Sequence, residues 1–267
     1  MTQQAFRMAY DGRKFYGYQR QPDVPTIEDA LFDAFDDLDI TNDSIPDQYS
    51  AAGRTDAGVS AIAQTFTCAC PEWVGPSVLN DKLPASIQVW GVTGVDADFH
   101  ATVDAEMREY TYLLWKNNID SEVLADGMQK ISGTHDFQHL TSENENTVRT
   151  IATELHEDSD HFRLVFRADG FVRHLVRRIV ELLRQIATGD RSFADLEFIL
   201  TADSLDGEKG VPAAPAYPLI LSNVQYPNLS FATADPVIED VVSAFQDKEH
   251  KHITIAAVQR SIWSQLK

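Results

Sequence analysis

The sequence is poor in cysteine, poor in lysine and without a long apolar run. Its two cysteines, Cys68 and Cys70, stand one residue apart in a stretch that reads as strand. Alternate strand residues share a face but their geometry suits a disulfide poorly, and no second Cys/His cluster completes a metal site. Both read as small buried or half-buried side chains in a reducing cytoplasm. No apolar run reaches the roughly 20 residues of a membrane helix. Met1-Thr2-Gln3-Gln4 lacks the basic-then-apolar pattern of a secretory signal, so Asn228-Leu229-Ser230 means little as a glycosylation acceptor. Phosphate loops of the GxGxxG or Walker kind are absent, as is any short-period repeat. His135 and His139 are four apart but lack the glutamate of HExxH and further ligands, so no metal is expected.

What is present is apolar material, 43% of 267 residues, enough for one large domain or two packed halves. The charge is lopsided: 22 Lys plus Arg face 41 Asp plus Glu, for a formal charge of −19. Only eight residues are lysine, and Asp outnumbers Glu by 27 to 14. An RNA-binding protein usually shows the opposite sign. An Asp-rich, Lys-poor surface fits a protein working at molar salt, where its self-repulsion is screened. At about 1 M the Debye length is about 3 Å, so repulsion of RNA phosphates is also short-ranged. Six arginines from Arg163 to Arg184 (Arg163, Arg167, Arg173, Arg177, Arg178, Arg184) run against the acidic trend. They suit a solvated face offsetting nearby acids as well as an RNA-facing surface.

Along the chain, Phe6, Met8 and Tyr10 alternate as in a strand that Asp11-Gly12 breaks. Thr26 is placed to cap a helix with Ile27, Leu31, Phe35 and Leu38 on its apolar stripe. Strands are expected near Gln64–Ala69, Ile87–Val95, Glu109–Trp115, Phe162–Phe166 and Leu219–Val224, with a loop-rich stretch from Asn117 to Asn146. The clearest helix should follow Asp169-Gly170, with Val172, Leu175, Val176, Ile179, Leu182, Leu183 and Ile186 apolar and Gly189 at its end. Arg173, Arg177 and Arg184 would line a second stripe of it. An acidic C-terminal stretch with helical periodicity ends the chain. This order of elements favours an α+β fold, helices packed on mainly antiparallel sheet.

Chemistry could sit at Gly53-Arg54-Thr55-Asp56-Ala57-Gly58. Two glycines let the backbone turn tightly and hold a carboxylate outward. A guanidinium nearby, with Arg54 two residues away, would keep Asp56 ionised as nucleophile or base. The same residues also suit a structural turn with a local ion pair.

The stretch Arg54-Thr55-Asp56-Ala57-Gly58-Val59 resembles the signature of the tRNA pseudouridine synthase A family, and the resemblance continues in order. Tyr10-Asp11-Gly12 with Phe15, Gly17, Gln19, Gln21-Pro22 and Thr26 looks like the family's opening. Leu83-Pro84, Phe99-His100-Ala101, Arg108-x-Tyr110-x-Tyr112, His135-Asp136-Phe137, Arg149-Thr150-Ile151, Phe171 with Val176-Arg177, and Ala214-Pro215 with Leu219 and Leu221 follow. Ser60, Thr102, Glu181 and Pro218 depart from the usual pattern.

The resemblance implies the pseudouridine synthase fold: two similar α/β halves, 1–103 and 104–267, forming a central, mostly antiparallel sheet with helices packed on it and a cleft between them. It implies isomerisation of uridine to pseudouridine in the anticodon stem-loop of tRNA, at about positions 38–40, by a cytoplasmic homodimer needing no cofactor or metal. By the same resemblance Asp56 is the catalytic carboxylate, Tyr110 stacks on the flipped uracil, and Arg177 pairs with Asp56. Arg54 fills the vacated space or meets phosphate. Thr55, Arg13, Lys14, Arg20, Arg173 and Arg178 join Arg54 and Tyr110 as expected RNA contacts.

Overall fold

A computed structural model of the chain describes residues 1–41, 44–202, 204 and 210–266. The strands are β1 (Thr2–Tyr10), β2 (Ser50–Ala51), β3 (Ser60–Cys70), β4 (Ile87–Gly94), β5 (Met107–Trp115), β6 (Gly133–Asp136), β7 (Val148–Glu157), β8 (His161–Ala168) and β9 (Leu219–Gln225). The helices are α1 (Ile27–Asp36), α2 (Pro76–Asn80), α3 (Ser121–Ile131), α4 (Leu175–Ala187), α5 (Phe193–Thr201) and α6 (Asp235–Ser264). All nine strands join one sheet in the order β4-β1-β3-β9-β5-β8-β7-β6, with β2 beside β3. Every pairing is antiparallel except β3 with β9. This is the expected α+β architecture, with helices packed on a mostly antiparallel sheet.

Two cores flank the middle of the sheet. Phe6, Leu31, Phe35 and Phe66 lie in one, and Leu124, Phe137, Leu164, Phe166, Ile179 and Leu183 in the other. Tyr110 packs against both. The late strand β9 closes the seam: Leu219 belongs to one core, Leu221 and Val224 to the other. A single row of partners therefore crosses the sheet, from Tyr10 through Ala61 and Leu221 to Tyr110 and Phe166. That row sets the spacing between the loop ahead of β3 and the tyrosine on β5.

Local chemistry explains where elements begin. Thr26 caps α1 in a capping box with Asp29, and Ser192 with Asp195 does the same for α5. Three expectations need correction. Residues 117–146 are not mainly loop, because they contain α3, capped by Asp120. Gly127 blurs its apolar pattern in the sequence, yet α4 rests on it: a Cβ there would lie 2.6 Å from Leu183 Cδ2. The Arg-rich helix starts at Leu175, so Val172 and Arg173 precede it, and the chain enters through His174 at φ 63°. Arg173 is thus outside the stripe assigned to it. His135 and His139 are not one helical turn apart: His135 is on β6, and His139 hydrogen-bonds the Ala202 carbonyl at 2.8 Å.

Gly189 does end α4 with φ 82°. Cys68 and Cys70 are buried and unbridged. No described helix is long and apolar enough to cross a membrane.

Candidate active site

Asp56 sits in the turn just before β3, and the preceding loop grips that turn. Tyr10, the last residue of β1, shares a buried 2.7 Å hydrogen bond between its hydroxyl and that of Thr55. The Tyr18 amide donates to the Thr55 carbonyl at 3.0 Å, and the Gly58 amide to the Phe15 carbonyl at 3.2 Å. Gln64 Nε2 donates to the Gly53 carbonyl at 2.7 Å. Gly17 is needed for this close approach: its φ is +104°, and a Cβ would lie 3.0 Å from the Thr55 carbonyl oxygen. A Cβ on Gly12 would run into the carbonyl of Val59. Thr55, expected to face RNA, is therefore a buried anchor that holds the turn from behind.

The guanidinium beside Asp56 is that of Arg177, not Arg54. Arg177 Nη1 donates to Asp56 Oδ2 at 3.0 Å, across 121 residues of sequence. Its Nε donates to the Ala214 carbonyl at 2.7 Å, while the Ala214 amide donates to the Arg177 carbonyl at 3.0 Å. Both partners are largely enclosed, with side-chain exposures of 17% for Arg177 and 23% for Asp56. Two hydrogen bonds in different directions leave the guanidinium little freedom. Arg54 is exposed and, among the described residues, makes no ion pair or hydrogen bond. It is free to meet a ligand.

Tyr110 approaches from β5. Its ring meets Phe171 edge-on with centroids 5.2 Å apart. Burial first, then the negative charge of Asp56, push its phenol above the ordinary range, with Arg108 pulling weakly the other way. It is a neutral donor at physiological pH.

A fourth group is present that the sequence reading missed. His174 Nε2 lies 3.4 Å from Asp56 Oδ2. Burial lowers its pKa, as do Arg177, Arg173 and Arg178, against the opposing pull of Asp56. Its only sequence signal was its place three residues before Arg177, hidden by reading the segment as helix interior.

The remaining arginines divide by partner. Arg184 is held by Glu181 at 2.8 Å, Arg163 by Asp158 at 3.4 Å, and Arg167 by Glu109 and Glu154 at 2.6 and 2.9 Å. Those three offset local acids. Arg173 is exposed and Arg178 half-buried, and neither guanidinium has an acidic partner among the described residues. Arg13 is paired with Asp11 and Arg20 with Asp29, at 2.7 and 2.8 Å, whereas Lys14 is exposed.

Comparison with known proteins decides the family. A family model described as tRNA pseudouridine synthase matches residues 128–227. The tRNA pseudouridine synthase A of Haloarcula marismortui is 39% identical over 265 residues, covering 95% of this chain and 96% of that one. Its namesake in Natronomonas pharaonis is 40% identical over 257 residues, with coverages of 95% and 96%. That of Archaeoglobus fulgidus is 30% identical over 259 residues, with coverages of 96% and 95%. The chain belongs to the tRNA pseudouridine synthase A family. The family is one of isomerases, and tRNA is the substrate class its name carries.

The span matched by the family model holds His174, Arg177 and Ala214, while Asp56 and Tyr110 lie outside it. The four site residues thus come together from three separate stretches of the chain, only one of which the family model spans. Among solved structures, an archaeal box H/ACA sRNP Nop10-Cbf5 complex aligns at a TM-score of 0.34 and 13% identity. That alignment covers 66% of this chain and 44% of that one, too slight a likeness to carry site geometry across. Among the described residues no group of three or more His, Cys, Asp or Glu is arranged to hold a metal.

Proposed function

We propose that the chain isomerises uridine to pseudouridine in the anticodon stem-loop of tRNA, at about positions 38–40, with Asp56 as the catalytic carboxylate. The observation that supports this most is the 3.0 Å pair between Asp56 Oδ2 and Arg177 Nη1, beside the phenol of Tyr110 at the seam of the sheet. An enclosed carboxylate bonded to a fixed guanidinium is held in one orientation.

The reaction breaks the bond between C1′ and N1, turns the uracil, and joins C1′ to C5, after which the C5 proton leaves and N1 gains one. Asp56 serves either by attacking the sugar or by removing its 2′ proton, roles like those of a carboxylate beside the anomeric centre in glycosidases. The uridine must first leave its stack, at a cost of a few kcal/mol. Tyr110 then stacks on the uracil and helps move its C5 proton. Arg54 fills the vacated space or binds phosphate, and Arg173, Arg178 and Lys14 supply close contacts to the backbone. Arg13 and Arg20 join them by exchanging Asp11 and Asp29 for phosphate. In this reading residues 1–103 and 104–267 are the two halves around the cleft, two copies share one tRNA, and the acidic surface suits high salt.

Carbodiimide mapping tests the site. Purified protein and a transcribed tRNA should yield alkali-resistant adducts at about positions 38–40 only. Adducts confined to another arm of the tRNA, or none, would reject the assignment.

A further inference from the structure

We propose that His174 is a positioning residue which, together with Arg177, fixes the oxygen of Asp56 that reacts. The inference rests on Asp56 being the catalytic carboxylate and goes one atom deeper. Both neighbours approach the same oxygen: His174 Nε2 is 3.4 Å and Arg177 Nη1 3.0 Å from Oδ2. Oδ1 accepts no hydrogen bond from any described residue, so it is the oxygen left for the ribose.

The backbone at His174 is unusual in two ways. Its φ is 63°, a conformation disfavoured for any residue with a Cβ. It also stands at the N-cap of α4, yet its side chain makes no capping hydrogen bond. Residues at that position normally turn back to satisfy the first amides of the helix. Here the imidazole turns away from them and toward Asp56.

The surroundings hold it there. Val172 and Leu175 are buried on either side, with exposures of 4% and 1%. The Arg173 carbonyl accepts from Thr141 Oγ1 at 3.0 Å, and the Arg173 amide donates to Glu143 at 3.1 Å. Burial and the three arginines around it keep the imidazole neutral. A neutral imidazole set against Oδ2 restricts the carboxylate without adding a second full positive charge to weaken it as a nucleophile or base.

His174→Gly and His174→Asn test this. Glycine suits the left-handed backbone and deletes the ring, whereas asparagine tolerates that backbone and keeps an N–H donor. Single-turnover rate, tRNA dissociation constant and thermal midpoint are measured for each on transcribed tRNA, with Asp56→Asn as control. The expected result for His174→Gly is a rate at least about tenfold lower, with tRNA affinity and midpoint preserved. His174→Asn should recover part of that rate. An unchanged rate in His174→Gly, or a fall in affinity or midpoint that accounts for the loss, overturns the positioning role. Turnover retained in Asp56→Asn would instead show that the carboxylate assignment itself has failed.

Discussion

Asp56 is flanked by His174 and Arg177 at the start of α4 and neighbours Tyr110 of β5, and each can be replaced singly. Arg177→Ala takes away the donor to Asp56 and the donor to the Ala214 carbonyl. It should lower stability by about 2 kcal/mol, since it strands two polar partners in a mostly enclosed site. It should lower turnover as well, and urea denaturation alongside single-turnover assays would check both. Normal stability with a normal rate would reject the pairing as functional. Tyr110→Phe keeps the ring against Phe171 and removes only the hydroxyl. Turnover should fall more than tRNA binding does, and an unchanged rate would reduce Tyr110 to packing. Asp56, Tyr110 and Arg177 were legible because each stands in a short motif in a matching order. Thr55 was legible as part of the motif but not in its role, since its burial depends on Tyr10 arriving from another strand. His174 was illegible because its turn comes from a backbone angle, and apolar spacing does not encode that.

At the scale of elements, the site depends on the loop between β1 and α1 lying flat against the Asp56 turn. Gly17→Ala should cost about 1–2 kcal/mol, because a Cβ must occupy left-handed backbone and crowd the Thr55 carbonyl. Turnover should fall with it while tRNA affinity changes less. Full activity and an unshifted thermal midpoint would contradict the gripping role of this loop. The long strands and the apolar stripe of α4 were readable from period alone, and Thr26 announced α1 as its N-cap. The helix α3 was not, because Gly127 reads as a breaker and serves as a packing notch for Leu183. The place of β9 was also hidden. A strand near the end of the chain that pairs in parallel with β3 is a tertiary choice, made by which core its leucines enter.

For the whole molecule, charge and buried phenols set how stability responds to solvent. With a formal charge of −19, screening should favour the compact state, so the thermal midpoint should rise between about 0.1 and 2 M KCl. A midpoint that falls over that range would contradict an acidic surface suited to salt. Tyr10, Tyr110 and Tyr112 are pushed above their ordinary value of 10.0 by burial, and Tyr226 to about 12. In the folded state these phenols keep protons that the unfolded chain has lost. Their contribution is complete below pH 10 and is lost as pH climbs above it. A thermal midpoint that drops steeply above about pH 10 is expected, and one flat to pH 12 would contradict it. The sign of the surface was plain in the composition. The seam that unites two cores through one row of residues was not.

The central claim is that the Asp56 carboxylate performs the chemistry while the rest of the cluster serves it. Asp56→Asn is nearly isosteric and leaves an oxygen for Arg177. On transcribed tRNA it should yield no pseudouridine by carbodiimide mapping while binding that tRNA about as tightly as the parent. Pseudouridine formed at the parent rate would contradict the account.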